Sequence, residues 1–352
     1  MAATYGYFLI FAQFGFLKAV QVVVGEEGAL LRPILVVMGI GGIAGSVGAA
    51  RIFAEGRGRP LLLIGFVGCG AAAGTSMAAD SPGGLFFCAA LIGLGMGIVT
   101  VTLAAILRRE VGGAKLGLCL GAGTGLAYGL CNLPIVFNAG AVGQAALGLA
   151  ASGVGCLALF GFQQRAPQSE VGGVDYQKSG IVGWLVVFFV LVWLDSGAFY
   201  VIQHTPILKG GTWGGDAQLY LNALVHAAAA LLAGLMLDQR RSVAVILSAT
   251  GLLVTGCLLI GAGPGYSATG AFCYAAGVSF YSTVLVFYPA RSGRVGLAAL
   301  VYTVAGWGGS ALGIGMAKNW GAVPVWFLAS AGGLIVAAFL GRRWLSAHSA
   351  SE

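Results

Sequence analysis

Four ionisable side chains lie inside long apolar runs of this sequence: Lys18 in GFLKAVQ, Asp195 in VWLDSGA, His204 and His226. At membrane depth a charged group such as Lys or Asp costs roughly 2.5–3.5 kcal/mol unless it is paired or wetted, so these are the places to look for chemistry. The chemistry open to them is narrow. Lys18 can hold an anionic group, Asp195 can load and release a proton, and the two can pair with each other. His226 follows Asn222 by four residues, which puts both on one helix face. His204 stands at the end of its apolar run, just before Pro206, and reads as an interfacial structural residue.

A second pattern is neutral. Thr124, Tyr128 and Asn132 recur at spacing four with Pro134 just beyond, and Thr303, Trp307 and Ala311 repeat that spacing further on. As interhelical hydrogen bonds in lipid such residues average only about 0.6 kcal/mol each. Their repetition favours the lining of a cavity. Gln13, Gln21, Gln203, Tyr281 and Ser282 are weaker candidates of the same kind.

What is missing narrows the function further. The sequence has no Walker A loop, HExxH or GxSxG, and its seven cysteines include no CxxC pair. No enzyme activity, cofactor or metal is expected, and ATP-driven pumping by this chain alone is not.

The elements that position these residues follow from composition. Hydrophobic residues make up 59% of the chain and charged ones only 8%, with mean hydropathy +0.94; soluble domains carry about 25% charged residues. A membrane helix needs about 20 mostly apolar residues. Twelve segments qualify: 5–25, 29–53, 60–79, 83–107, 115–138, 141–163, 180–206, 217–237, 242–262, 266–289, 294–317 and 322–341. The first is retained as a span because no basic region precedes it. Loops on one side of this map hold fourteen Lys and Arg, including Arg57, Arg59, Arg108, Arg240, Arg241 and Arg291, whereas the other side holds three, Arg32, Lys209 and Lys318. That asymmetry puts both termini in the cytoplasm. It also accounts for the net charge of +7 without a nucleic-acid partner, since no basic run is interleaved with aromatics.

The chain also repeats itself. Lys18 registers with Asp195 at an offset of 177, and AKLGLCLGAGTGLAYG registers with GRVGLAALVYTVAGWG at 179, which places Tyr128 over Trp307. Two nearly equal offsets of half the chain length imply a parallel duplication of six helices. The expected organisation is a six-helix bundle at 1–163, a cytoplasmic linker at 164–179, a second bundle at 180–341 and a tail at 342–352.

Two loops carry a recognisable motif. GLMLDQRRSVAVI has Gly234, then Asp238 four residues on, then Arg240 and Arg241; GAARIFAEGRGRP is a degenerate copy with Gly48, Glu55, Arg57 and Arg59. Both resemble the cytoplasmic loop motif of the major facilitator superfamily. The resemblance implies an all-α fold of two pseudo-symmetric six-helix bundles. It implies that helices 1 and 7 line a central cavity from opposite halves. It also implies that Asp238 with Arg240 or Arg241 forms a charge network that holds the cytoplasmic side shut, with helix dipoles adding to it. The expected function is secondary transport, proton-coupled or by exchange, of a small polar metabolite of anionic or zwitterionic character in a bacterial-type inner membrane. Lys18, Asp195, His226, Asn222, Tyr128, Asn132, Thr124 and Trp307 are the candidates for substrate and proton contact. The alternative is a transport-inactive relative that assembles with other membrane subunits of a respiratory or photosynthetic complex.

Overall fold

The computed structural model describes residues 1–25, 28–54, 56–161 and 178–348, with only the backbone described at 178–179 and 342–348. In chain order the helices are α1 (Ala2–Val24), α2 (Leu31–Ile52), α3 (Gly58–Ser76), α4 (Pro82–Val111), α5 (Leu116–Cys131), α6 (Pro134–Phe137), α7 (Ala141–Phe160), α8 (Lys178–His204), α9 (Pro206–Trp213), α10 (Asp216–Asp238), α11 (Ser242–Gly261), α12 (Pro264–Ser292), α13 (Val295–Ala317) and α14 (Val325–His348).

Among the described residues ten helices, all but α5, α6, α9 and α14, are long and apolar enough to cross a bilayer. The two remaining expected segments are present in altered form. The segment expected at 115–138 is split into α5 and α6, because Pro134 cannot continue a helix and holds Leu133 extended. The last segment forms α14, whose apolar part is Val325–Gly341 and whose helix runs on past the expected end at 341 to His348. Most of the expected linker, 164–177, lies outside the described residues, as does Glu55.

Helix ends follow local chemistry. Ser81 caps α4 by accepting a hydrogen bond from the Gly84 amide, ahead of Pro82 in the first turn. Gly112 ends α4 with φ +85°, and Gly293 ends α12 in the left-handed region. Two helices change pitch internally, with π turns at Tyr7–Gly15 in α1 and Tyr302–Gly309 in α13; such turns frequently mark functional sites.

Small residues set the packing. Gly41 and Gly45 of α2 face Gly93 and Gly97 of α4 so closely that a Cβ on Gly93 would lie 2.1 Å from the Met38 carbonyl oxygen. The two halves of the chain meet mainly where α5 packs on α10, α12 on α4 and α5, and α13 on α2. Large apolar side chains point outward instead, among them Val154, Leu157 and Phe160 on α7 and Leu221 and Leu224 on α10. An apolar surface around a core threaded with polar side chains is the inverse of a soluble fold. This is a multi-pass membrane protein.

Candidate functional site

Asp195 of α8 is the centre of the first polar cluster. Tyr274 and Tyr281 of α12 lie seven residues apart, two helical turns, and so present both hydroxyls on one face. The Tyr274 hydroxyl donates to Asp195 Oδ1 at 2.6 Å, and the Tyr281 hydroxyl donates to Oδ2. Among the described residues no cation is within ion-pair distance of Asp195, and Lys18 is bonded elsewhere: its Nζ donates to the carbonyl oxygens of Ala139 (2.8 Å) and Phe137 (3.5 Å).

The next residue of α12 starts the second cluster. Ser282 Oγ is 3.0 Å from the Tyr128 hydroxyl of α5, and its carbonyl accepts from the Tyr5 hydroxyl of α1 at 3.1 Å. The Tyr128 ring is stacked on His226 of α10 at 4.6 Å and 12°, and His226 Nδ1 is 2.8 Å from Ser279 Oγ. Side chains from both halves of the chain therefore converge on one turn of α12. Beside them, Asn132 gives its amide to the Tyr128 carbonyl at 2.9 Å but leaves its own Oδ1 buried without a partner, and Thr124 Oγ1 is in the same position. Unsatisfied polar atoms in a dry interior are costly, and they mark places where a ligand or water would be held.

The remaining expected site residues are elsewhere. Asn222 is 1% exposed, and its Nδ2 donates to the Thr212 carbonyl oxygen of α9 at 2.9 Å. Trp307 lies in the π turn of α13 against Gly42 of α2, where a Cβ would come within 2.0 Å of the indole. His204 stacks on Tyr200 and bonds its carbonyl, a local contact at the end of α8.

At the arginine-rich end the loop after α10 makes a different contact from the expected one. Asp238 accepts from the amides of Gly117 (2.7 Å) and Leu118 (2.9 Å), the first turn of α5, and no ion pair joins it to Arg240 or Arg241. The reason is proximity. Gly234 and Gly117 pack backbone to backbone, so the carboxylate reaches the free amides and positive end of α5 before any side chain. Arg240 is the one described non-glycine with positive φ, at +62°. In the degenerate copy Arg59 lies over the Phe160 ring at 5.7 Å, and Arg57 precedes the first turn of α3. Arg108 reaches the Arg291 carbonyl at 2.9 Å, which ties α4 to α12.

Tyr5, Tyr274 and Ser279 are not among the sequence candidates. Tyr274 carried a usable signal, its seven-residue spacing from Tyr281, but Tyr5 stands among apolar neighbours with no pattern around it.

Two solved structures resemble nearly the whole chain. The human organic anion transporter MFSD10 (TETRAN) matches 96% of this chain and 97% of its own, with TM-score 0.66 at 16% identity. A mutant of the nucleoside transporter NupG matches 96% of this chain and 98% of its own, with TM-score 0.55 at 14% identity. The chain has the major facilitator fold. No protein-family model and no curated protein matches it by sequence, so the resemblance is one of architecture. Of the two similar loops, the second has Gly234 and Asp238 in contact with α5. The first has Ile52 where the second has Asp238, each four residues after its glycine.

Proposed function

We propose that the protein is a proton-coupled secondary transporter that moves a small polar metabolite by alternating access. In this reading twelve helices span the membrane, α5 and α6 together forming one of them, in two six-helix bundles with both termini cytoplasmic. The observation that carries it is Asp195, a carboxylate at membrane depth whose partners are two neutral phenols. With no cation to neutralise, it can take up a proton and still keep an oxygen for each tyrosine. The Tyr5, Tyr128, His226 and Ser282 cluster joins the two halves of the chain beside it, so any opening between them must break those contacts. Unpartnered Asn132 and Thr124 oxygens are suited to substrate donors. Because Lys18 is committed to backbone carbonyls, we narrow the substrate to a zwitterionic or neutral polar molecule. One neighbour is named as a nucleoside transporter and the other as an organic anion transporter, so organic anions stay among the solutes to test.

The test is proton movement in proteoliposomes, followed with an entrapped pH-sensitive dye, as amino acids, nucleosides and organic anions are added in turn. At least one solute is expected to evoke proton flux, and Asp195→Asn to abolish it. An unaltered flux in Asp195→Asn sinks the coupling role. A second reading, a transport-inactive subunit of a larger complex, is favoured by the degenerate first loop motif, which has Ile52 where the second has Asp238. It predicts no flux with any solute, together with stable co-purification of other membrane proteins.

A further inference from the structure

Away from the arginine-rich end, four rings close across the halves of the chain. Phe14 of α1 contacts Phe137 of α6 at 5.7 Å and Phe199 of α8 at 5.6 Å, and Trp213 of α9 contacts Phe199 at 5.7 Å and Phe137 at 6.3 Å. Two of the rings ride on short pieces of helix. Phe137 ends the four-residue α6 and Trp213 the eight-residue α9, each begun by a proline. Helices this short are unstable alone, so bonds to their surroundings set where their rings lie.

Lys18, Gln144 and Asn222 make those bonds, Gln144 of α7 donating to the Val136 and Phe137 carbonyls at 3.1 and 3.2 Å and Lys18 securing the end of α6 beside it. Lys18 donates to the Phe137 and Ala139 carbonyls at the C-terminal end of α6, where a cation is favoured and carbonyls lack helical partners. Asn222 donates to the carbonyl of Thr212, next to Trp213, and is itself oriented by Gln218 at 3.1 Å. Beyond Trp213 the chain passes through Gly214 and Gly215, the latter at φ +79°, a joint with the freedom to swing. Aromatic rings share no hydrogen bonds, so a plug made of them parts without stranding polar groups, and hydrophobic constrictions are an established way to gate.

We propose that Phe14, Phe137, Phe199 and Trp213 form the gate at this end of the transport path, and that Lys18 and Asn222 are positioning residues that latch it from opposite halves of the chain. The proposal rests on the transporter reading above. It gives Lys18 and Asn222 a mechanical role in place of the substrate contact expected from sequence. It also explains why Lys18 and Asn222 face carbonyls and leave Asp195 to α12.

The test needs no substrate. Cys131, 5% exposed and close before Phe137 in the chain, serves as reporter once the other six cysteines are replaced by serine. The protein is placed in nanodiscs and the rate of Cys131 labelling by a charged methanethiosulfonate is measured. Lys18→Met is expected to raise the rate about tenfold, the effect of losing its short charged hydrogen bond to Ala139, the longer one to Phe137 adding little. Asn222→Leu should raise it about threefold, as for a neutral bond. Lys18→Arg should restore the parental rate, which a misfolded variant would not permit. Phe199→Ala should raise the rate too, and its combination with Lys18→Met should be no faster than the faster single variant. Unchanged rates in Lys18→Met and Asn222→Leu, or multiplying effects in the double variant, overturn the latch. If labelling responds as expected while no solute moves protons, the gate stands and the transport reading falls alone.

Discussion

Hydrogen bonds between membrane helices are weak, about 0.6 kcal/mol on average, and that weakness makes the central residues informative to mutate. Tyr128→Phe removes only the hydroxyl that meets Ser282 and keeps the stack on His226. Its effect on thermal stability in detergent should be within about 1 kcal/mol, so a large fall in solute-evoked proton flux would report function. Flux at the parental level would remove Tyr128 from the transport path. Tyr281→Phe is a sharper case, because its hydroxyl serves a carboxylate and such bonds are worth about 1.5–3 kcal/mol. Asp195, Tyr128 and His226 were legible in the sequence because a polar residue in an apolar run stands out. Their partners were less so. Tyrosine and serine are common in membrane helices, and only the fold shows that Tyr274 and Tyr281 converge on one carboxylate while Tyr5 reaches the neighbouring Ser282.

At the scale of elements, the expected segment boundaries lie within a few residues of nearly every helix, since hydropathy and flanking charge report directly on the bilayer. Three features escaped them, one being the short α9 in the stretch read as a connection between segments. The break between α5 and α6 needed Pro134 to be weighed against an otherwise continuous apolar run, and the π turns of α1 and α13 have no sequence signature of their own. The junction of α5 with α10 is the element contact with the clearest mutational consequence. A Cβ on Gly121 would lie 2.3 Å from the Ala230 carbonyl, so Gly121→Val must push the helices apart. The expected loss is about 1–3 kcal/mol, read as a lower unfolding midpoint; an unchanged midpoint would mean that the contact is not tight. Asp238→Ala should also destabilise this junction, by about 1.5–3 kcal/mol, because it frees two amides at the start of α5. Asp238→Asn keeps an acceptor and should lose less.

For the molecule as a whole, the major facilitator fold was legible from the loop motif, and the internal repeat argues for a duplicated plan. It did not reveal that the copies differ in what they do. Lys18 and Asp195 register with each other in the sequence repeat, yet one binds backbone carbonyls and the other binds phenols. Duplicated helices inherit geometry, while each side chain takes whatever partner is nearest. The loop motif differs in the same way: Asp238 has no acidic counterpart at Ile52. Two such acids would brace both the α5–α10 and α2–α13 seams at the arginine-rich end, whereas the one present fastens only the first, beside the Arg108–Arg291 tie of α4 to α12. A fastening of about 1.4 kcal/mol changes a two-state ratio tenfold. The unbraced seam, where α13 meets α2, should therefore part first and set how long each conformation lives. Spin labels on the ends of α2 and α13 should show a broader separation than labels on α5 and α10. Ile52→Asp should narrow it and, if the protein transports as proposed, slow the cycle, which would make the residue at this position a timer.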